Sequence, residues 1–310
     1  MKQPILILLI FIISLVFSCP NGFSQTNTNS STESRYTGPI IDMHLHAYKE
    51  GDPMLGLTHP PTLRGQTFKG SKSAKELQTE ILNRFEKYNI KKAILTNADF
   101  WYTDVPETII NAKTNNLDTI RFLHSQGKLG AIAEMAPYYA GILADAPSQE
   151  PYFELAEELQ IPVGFHILPG GPNNGIHLMP EMLGGMRVNN ASPTQLEPVL
   201  AKFPKLKLYI MHGGWPYVED VKALLYAHAN VYVDIAVINW ILPKEELYSY
   251  IKSLITAGFG DRIMFGTDQM VWPDTIDVAI ETVNSAEFLT QKQKADIFYN
   301  NAARFLGLGN

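Results

Sequence analysis

Two histidines separated by a single residue are the clearest sign of chemistry in the sequence. They are His44 and His46, which follow an apolar run that begins at residue 40. In an extended strand, residues two apart point to the same side, so both imidazoles can reach one ion. A single histidine is more often structural, whereas this spacing at the end of a strand favours metal ligation.

Three other apolar runs end in a group of the same kind. His166 ends the run 162–166, His212 follows the run 206–211, and Asp268 follows the run 262–267. If these runs are parallel strands of a barrel, their carboxyl ends meet on one face. Buried imidazoles and a carboxylate gathered there would be costly unless they were paired or coordinated. We therefore expect the four segments to converge around a divalent cation.

The elements that must position these groups alternate between strand and helix. Strands are predicted over seven largely apolar runs, 40–44, 92–97, 129–134, 162–166, 206–212, 231–236 and 262–267. Helical patterns are predicted over 73–88, 107–125, 150–159, 195–202, 217–227, 245–257 and 291–305. This alternation predicts an α/β fold, a TIM-like (β/α)8 barrel in which some distortion is expected. The eighth strand, third in order, is expected between residues 99 and 128.

Composition and the N-terminal segment limit the class of protein. The chain has 310 residues, 45% of them hydrophobic, and a formal net charge of −6, so one large domain over residues 37–310 is expected. Without a Lys/Arg cluster, a nucleic-acid partner is not expected. Residues 1–24 have the basic start and short apolar run of a signal peptide, and 25–36 are typical of a disordered tether.

The one cysteine, Cys19, directly follows the apolar run, as in a bacterial lipoprotein whose cysteine becomes lipidated. Cleavage after Ser24 is the alternative and would give a soluble periplasmic or secreted protein. Either alternative predicts export from a bacterium, and a lone cysteine cannot form a disulfide within the chain. The sequence does not indicate an oligomeric state.

The chain resembles the amidohydrolase superfamily, and within it the amidohydrolase-related group that includes aminocarboxymuconate-semialdehyde decarboxylase. The resemblance covers about residues 39–308. It is carried by the His44-x-His46 pair, His166, the segments 212–214 (His-Gly-Gly) and 262–268, and the final 300–305. It implies that His44, His46, His166 and Asp268 bind a divalent metal, most often Zn²⁺. It also implies that His212 assists catalysis beside a water activated by the metal, whose proton Asp268 accepts.

Glu134 ends the predicted strand 129–134 and raises the question of a second metal. Some barrel hydrolases of the wider superfamily place a bridging carboxylate at this position. Glu134 and His212 could then help to hold a second ion, so that the site takes one metal or two. The alternative is a carboxylate that bonds to a neighbouring loop.

Other side chains near the predicted strand ends are candidates for binding a small-molecule substrate. The four tryptophans, Trp101, Trp215, Trp240 and Trp272, each follow a predicted strand within a few residues, where they could line an apolar pocket or simply pack the loops together. Arg64, Arg187 and His177 lie in long loops on the same face. Either arginine could bind a substrate carboxylate.

Three functions are compatible with these residues. The first is hydrolysis of a C–N or C–O bond, in an amide, ester or lactone, by water that the metal activates. The second uses the same ligands for non-oxidative decarboxylation of an aromatic or unsaturated acid, which calls for cationic groups beside the metal. The third, a non-catalytic binding protein, is disfavoured because all four metal ligands are present. Fold alone does not choose among them.

Overall fold

Eight short parallel strands form the centre of the protein. The computed structural model describes residues 35–114, 116–171 and 184–309. The strands are β1 Ile40–His46, β2 Ile90–Thr96, β3 Ile109–Ala112, β4 Ile132–Met135, β5 Val163–His166, β6 Leu208–Met211, β7 Val231–Asp234 and β8 Ile263–Met264. β3 is the strand that the sequence left unplaced between residues 99 and 128.

The strands close into a ring, as the predicted barrel requires. Regular ladders connect β1-β2-β3 and β4-β5-β6-β7-β8, and all pairs are parallel. A bridge between Ala112 and Ala131 joins β3 to β4. Between β8 and β1, the Met43 N–H donates to the Phe265 carbonyl at 3.0 Å, and the Asp268 N–H donates to the His44 carbonyl at 2.7 Å. The fold is a distorted (β/α)8 barrel.

The helices of the described residues lie between and after these strands. They are α1 Ala74–Tyr88, α2 Leu117–Ser125, α3 Glu150–Leu159, α4 Glu197–Lys202, α5 Val218–Ala227, α6 Ile238–Ile241, α7 Lys244–Thr256, α8 Asp274–Asn284, α9 Gln291–Ala295 and α10 Asn301–Leu306. A π-helical turn, Asp296–Asn300, separates the last two. No helix in the described ranges has the length and apolar character needed to cross a membrane.

The prediction of one helix over 107–125 was wrong. Its first part forms β3, which pairs with β2, and the helix begins only at Leu117. Asn116 starts it, because its side chain accepts hydrogen bonds from the Asp118 and Thr119 amides. Tertiary pairing places Ile109 and Ala112 in a buried strand, and their local sequence does not reveal this. Helix α8 was not predicted at all.

Part of the predicted tether belongs to the packed domain. The Tyr36 ring stacks on Phe298 with 5.2 Å between ring centroids, and the Tyr36 amide donates to Asn284 Oδ1 at 2.9 Å. The described chain is therefore already attached to the barrel at residue 36. The predicted signal peptide 1–24, Cys19 and most of the tether lie outside the described residues, so export and lipidation stay predictions.

Candidate metal centre

Six side chains from five strand ends meet at the carboxyl-terminal mouth of the barrel. The contributors are β1, β4 and β5 together with the residues that follow β6 and β8: His44, His46, Glu134, His166, His212 and Asp268. His44 and His212 are fully buried, and His166 and Asp268 are 4% and 3% exposed. The structure thus brings together the four predicted ligands, the predicted assisting histidine and Glu134.

Sharp turns at two strand ends direct His212 and Asp268 into this mouth. Both residues have left-handed backbone, with φ of 59° and 48°. Gly213, which follows His212, also has a positive φ of 63°, and a Cβ atom there would lie 2.7 Å from the Tyr250 hydroxyl. A side chain at this position would be both strained and crowded, so the turn after β6 needs glycine.

Glu134 lies at the centre of the cluster. Its Oε2 is 3.2 Å from His46 Nε2 and 3.5 Å from His44 Nε2, whereas its Oε1 is 3.2 Å from His166 Nε2. Potential ligand atoms of His44, His46 and Glu134 all lie within 4.8 Å of one another, and the same holds for Glu134, His166 and His212. The donors therefore form two groups that share one carboxylate.

Asp268 completes the group on the β1 side. Its Oδ1 lies 2.9 Å from His46 Nε2 and 3.7 Å from His44 Nε2, and its Oδ2 lies 4.0 Å from His212 Nε2. Despite the short contact to His46, Oδ1 is buried and accepts no hydrogen bond. Short distances without hydrogen-bond geometry are expected of atoms that share a cation rather than a proton.

Neighbouring groups determine which nitrogen of each buried imidazole faces the cluster. His212 Nδ1 lies 3.1 Å from the Ala236 carbonyl, which can only accept, so the proton is on Nδ1 and the lone pair on Nε2. The Tyr138 hydroxyl donates to the Leu168 carbonyl at 2.8 Å and so accepts from His166 Nδ1, 2.5 Å away. The Nε2 atoms of both rings are left as acceptors or ligands.

Two buried carboxylates that the sequence analysis missed support the β1 histidines. Asp234 ends β7, and its Oδ2 lies 3.5 Å from His44 Nδ1 while its Oδ1 accepts from the His212 amide at 2.8 Å. Asp42 accepts from the His44 amide and from Thr267, and burial raises the pKa of Asp42 to about 7 despite these bonds. The signal for Asp234 was an apolar run ending in Asp, the same pattern that identified Asp268.

Close contacts between buried carboxylates and imidazoles shift the pKa values of several groups in the site. Burial by itself would lower the pKa of His46, but the Asp268 and Glu134 carboxylates outweigh it and raise this pKa to about 9. Burial and the neighbouring His212 lower the pKa of His166 to about 3, so His166 stays neutral. Although burial opposes it, the surrounding imidazoles hold the pKa of Glu134 well below its usual range. Glu134 is therefore an anion among histidines.

These observations fit a divalent cation. His44 Nε2, His212 Nε2 and Asp268 Oδ1 are all buried without a hydrogen-bond partner, which is unusual for polar atoms and costly unless another group satisfies them. Imidazole nitrogens and carboxylate oxygens suit Zn²⁺ and other divalent transition metals. The bonds that orient His166 and His212 are of the kind that metal-ligating histidines make with their second nitrogen.

The four tryptophans lie in two different settings. Trp240 and Trp272 are buried, and their indole N–H groups donate to the Thr267 and Leu57 carbonyls, each at 2.8 Å. They pack the loops together. Trp101 and Trp215 are only partly buried, and their indole N–H groups donate to the Tyr48 carbonyl and to Glu246. Of the four, Trp215 lines a cavity of the described structure.

Neither predicted arginine contacts the cluster. The Arg64 guanidinium donates to the Leu242 and Asn239 carbonyls and to Thr282 Oγ1, so it holds the loop after β1 against the loop after β7. Arg187 donates to the Gly184 and Met186 carbonyls of its own loop. Their predicted role in binding a substrate carboxylate has no support in these contacts. His177 lies outside the described residues.

Comparison with known proteins agrees with the fold. A family model described as Amidohydrolase matches residues 120–308. The chain is 20% identical over 143 residues to Protein fluG of Emericella nidulans, a match that covers 41% of this chain and 16% of the length of that protein.

Solved structures with the same fold include hydrolases and decarboxylases. A probable 2-pyrone-4,6-dicarboxylic acid hydrolase from Acinetobacter baumannii has a TM-score of 0.60 and 14% identity, over 87% of this chain and 99% of its own. A dihydroxybenzoic acid decarboxylase from Polaromonas sp. JS666, with bound manganese, has a TM-score of 0.59 and 14% identity, over 88% and 98%.

A third solved structure, 5-carboxyvanillate decarboxylase from Sphingomonas paucimobilis, has a TM-score of 0.55 and 14% identity, over 87% of this chain and 99% of its own. At these identities the solved structures establish the barrel fold and do not choose a reaction. The family match covers more than half of the chain and includes His166, His212 and Asp268. The chain therefore belongs to the Amidohydrolase family and is an enzyme of the metal-dependent hydrolase superfamily.

Proposed function

We propose that this enzyme hydrolyses a C–N or C–O bond, in an amide, ester or lactone, of a small substrate that carries no essential carboxylate. The proposal rests on one observation above all. The Nε2 atoms of His44 and His212 and the Oδ1 atom of Asp268 are buried, unpartnered and arranged around the Glu134 carboxylate. Such an arrangement supports a metal-assisted reaction of water.

The donor set fits two ions better than one. Glu134 directs one oxygen to the β1 histidines and the other to His166, so it would serve both ions. His44, His46 and Asp268 would complete the first site, and His166 and His212 the second. Four imidazoles and two carboxylates exceed the four ligands of a tetrahedral zinc, which supports the division. We propose Zn²⁺ because nitrogen ligands predominate.

A divalent cation held here would polarise the scissile carbonyl and lower the pKa of a water toward neutrality. The protein supplies the proton transfers. Asp268 Oδ1 has no competing hydrogen bond, so it can accept the proton of the attacking water and return it to the leaving nitrogen or oxygen. His212 has its proton on Nδ1, bonded to the Ala236 carbonyl, which leaves the lone pair of Nε2 directed to the centre.

The surroundings of the centre disfavour decarboxylation, the main alternative. A carboxylated substrate needs a cationic partner. Within residues 35–114, 116–171 and 184–309, no lysine or arginine forms an ion pair or hydrogen bond with any of the six side chains. The remaining loop segment, 172–183, contains neither residue type in its sequence. Among the described residues, the six side chains of the centre therefore have no lysine or arginine as a direct partner, which favours a substrate without an essential carboxylate.

Metal analysis combined with a substrate panel tests this proposal. The purified enzyme should contain two equivalents of divalent metal, and Glu134→Gln should retain one or fewer and lose at least about 100-fold in kcat. Glu150→Gln is the matched control, because Glu150 begins α3 and pairs with Lys202 away from the centre. The panel contains esters, lactones, amides and hydroxybenzoates, and it separates simple hydrolysis from CO₂ release.

Two results would contradict the proposal. An enzyme that takes up no divalent metal under any loading condition would remove its basis. CO₂ release from hydroxybenzoates, with no turnover of esters, lactones or amides, would establish the decarboxylase instead.

A further inference from the structure

An apolar pocket lies beside the metal centre on the same face of the barrel. Its volume is about 250 Å³. Segments after β1, β5, β6 and β7 form its wall, and all of its lining residues are apolar, glycine or proline, among them Leu63, Leu168, Trp215, Ile238, Ile241 and Leu242. The indole N–H of Trp215 donates to Glu246 Oε1 at 2.9 Å, so that ring offers the pocket no free donor.

Three wall residues are connected to histidines of the centre by hydrogen bonds, Trp215 directly and the other two through one intervening group. The Leu168 amide and carbonyl both bond the Tyr138 hydroxyl, which contacts His166 Nδ1. The Trp215 amide donates to the His212 carbonyl at 3.1 Å, and the Ile238 amide donates to the Ala236 carbonyl at 2.6 Å. That same carbonyl accepts the His212 Nδ1 proton. The backbone that carries His166 and His212 therefore continues within two or three residues into the pocket wall, at Leu168 and Trp215.

From this continuity we infer that the pocket binds a hydrocarbon part of the substrate, a chain or ring adjacent to the scissile bond. This inference rests on the proposed hydrolase function and names its substrate class. An apolar cavity of about 150 Å³ is enough for a benzene ring, so this pocket has room for a ring with a short chain or for a medium-length chain. Groups of this kind gain free energy by leaving water, and none of the wall side chains in the described ranges could bind a charged group.

A homologous series of substrates tests the inference. In the class that the enzyme hydrolyses, whether esters, lactones or amides, the acyl chain is lengthened stepwise from acetyl to octanoyl. The wild type should gain up to about fourfold in kcat/KM for each methylene that becomes fully buried, until the pocket is filled. Most of this gain should appear in KM, because the chain binds similarly before and during the reaction.

Leu63→Lys is the variant that should flatten the series. The Leu63 side chain is 46% exposed, so a lysine can extend into water without unfolding the protein, yet its charge lies at the edge of the pocket. Leu57→Lys is the matched control in the same loop, 48% exposed and outside the pocket wall. The ratio of kcat/KM for the octanoyl substrate to that for the acetyl substrate should fall at least about tenfold in Leu63→Lys and should keep the wild-type value in Leu57→Lys.

A binding measurement separates failure of the inference from failure of the proposed function. Calorimetry with octan-1-ol on the purified enzyme needs no turnover. Wild type and Leu57→Lys should bind it alike, and Leu63→Lys at least about fivefold more weakly. If no substrate of the panel is hydrolysed but octan-1-ol binds in this pattern, the proposed hydrolase function would be wrong and the inferred role of the pocket would be supported. Chain-length independence in the wild type, or equal behaviour of both variants, would overturn the pocket.

Discussion

The position of the proton on each imidazole ring determines which of its nitrogens can bind a metal. His212 and His166 each have the Nδ1 proton assigned by one neighbour, the Ala236 carbonyl and the Tyr138 hydroxyl. A neutral imidazole whose second nitrogen faces a carboxylate is ready to ligate a metal without a change of tautomer. The residues that make the centre functional thus include Tyr138, which was not identified from the sequence.

Asp268→Asn tests the proton transfer at the scale of one residue. The amide is the same size as the carboxylate, so the turn at residue 268 should form and the melting temperature should stay near that of the wild type. Turnover should fall at least about 100-fold, since an amide accepts no proton at neutral pH. Steady-state rates on the best substrate of the panel, with metal content measured in parallel, check this. Near-normal kcat at full metal content would show that another group moves the proton.

Loops at the catalytic face are held to one another by an aromatic cluster. His59 of the loop after β1 is surrounded by Trp272, Trp240 and Phe68, with 4.6, 5.2 and 6.2 Å between ring centroids. The indole bonds of Trp240 and Trp272 connect this cluster to the residues next to Asp268 and to Leu57. The cluster therefore holds three segments at the mouth of the barrel in fixed positions relative to one another.

The cluster makes a prediction about acid stability. Burial lowers the pKa of His59 below its ordinary value, and its bond to the Pro60 carbonyl only partly opposes this. The neutral ring contributes stability above the pKa of the unfolded chain, about 6.5, and that contribution is lost as the pH falls below it. The melting temperature of His59→Phe should therefore decrease less between pH 8 and pH 5 than that of the wild type.

Thermal unfolding of the two proteins, followed by circular dichroism at several pH values, provides the comparison for His59. The metal content should be held equal, because the ligand histidines also respond to pH. Parallel curves for wild type and variant would mean that His59 is not the group that titrates.

Across the whole molecule, the centre connects strands that are far apart in sequence. The side chains that would bind a metal come from β1, β4, β5 and the ends of β6 and β8, on both sides of the junction between β8 and β1. A bound cation would hold these segments together, while without one the buried Nε2 and Oδ1 atoms stay unsatisfied. The stability of the barrel should therefore depend on metal.

Removal of metal tests this dependence. A ligand present at 100 times its dissociation constant stabilises the native state by about 2.7 kcal/mol. In a domain of this size that corresponds to roughly 5–10 °C in melting temperature. Dialysis against dipicolinate should lower the melting temperature by this amount, and added Zn²⁺ should restore it. The His44→Ala variant should show the lower value with or without zinc. Identical melting curves for treated and untreated wild type would argue against a structural contribution of the metal.

Local patterns in the sequence were sufficient to predict the barrel and most of the centre. Apolar runs that end in histidine or aspartate mark buried strands and the face on which they finish, so His44, His46, His166, His212 and Asp268 could be identified from spacing and resemblance. Helix α1 was equally predictable, since Ser73 caps it and Leu77, Ile81 and Phe85 form its buried face.

The contacts that these groups make could not be predicted from local patterns. The position of Glu134 between two groups of histidines, the support of His44 by Asp234, and the assignment of Arg64 to loop contacts all join residues far apart in sequence. Strand β3 depends in the same way on its pairing with β2. Local sequence specifies the direction and burial of an element. Its contacts with distant segments are specified only when the strands close into the barrel.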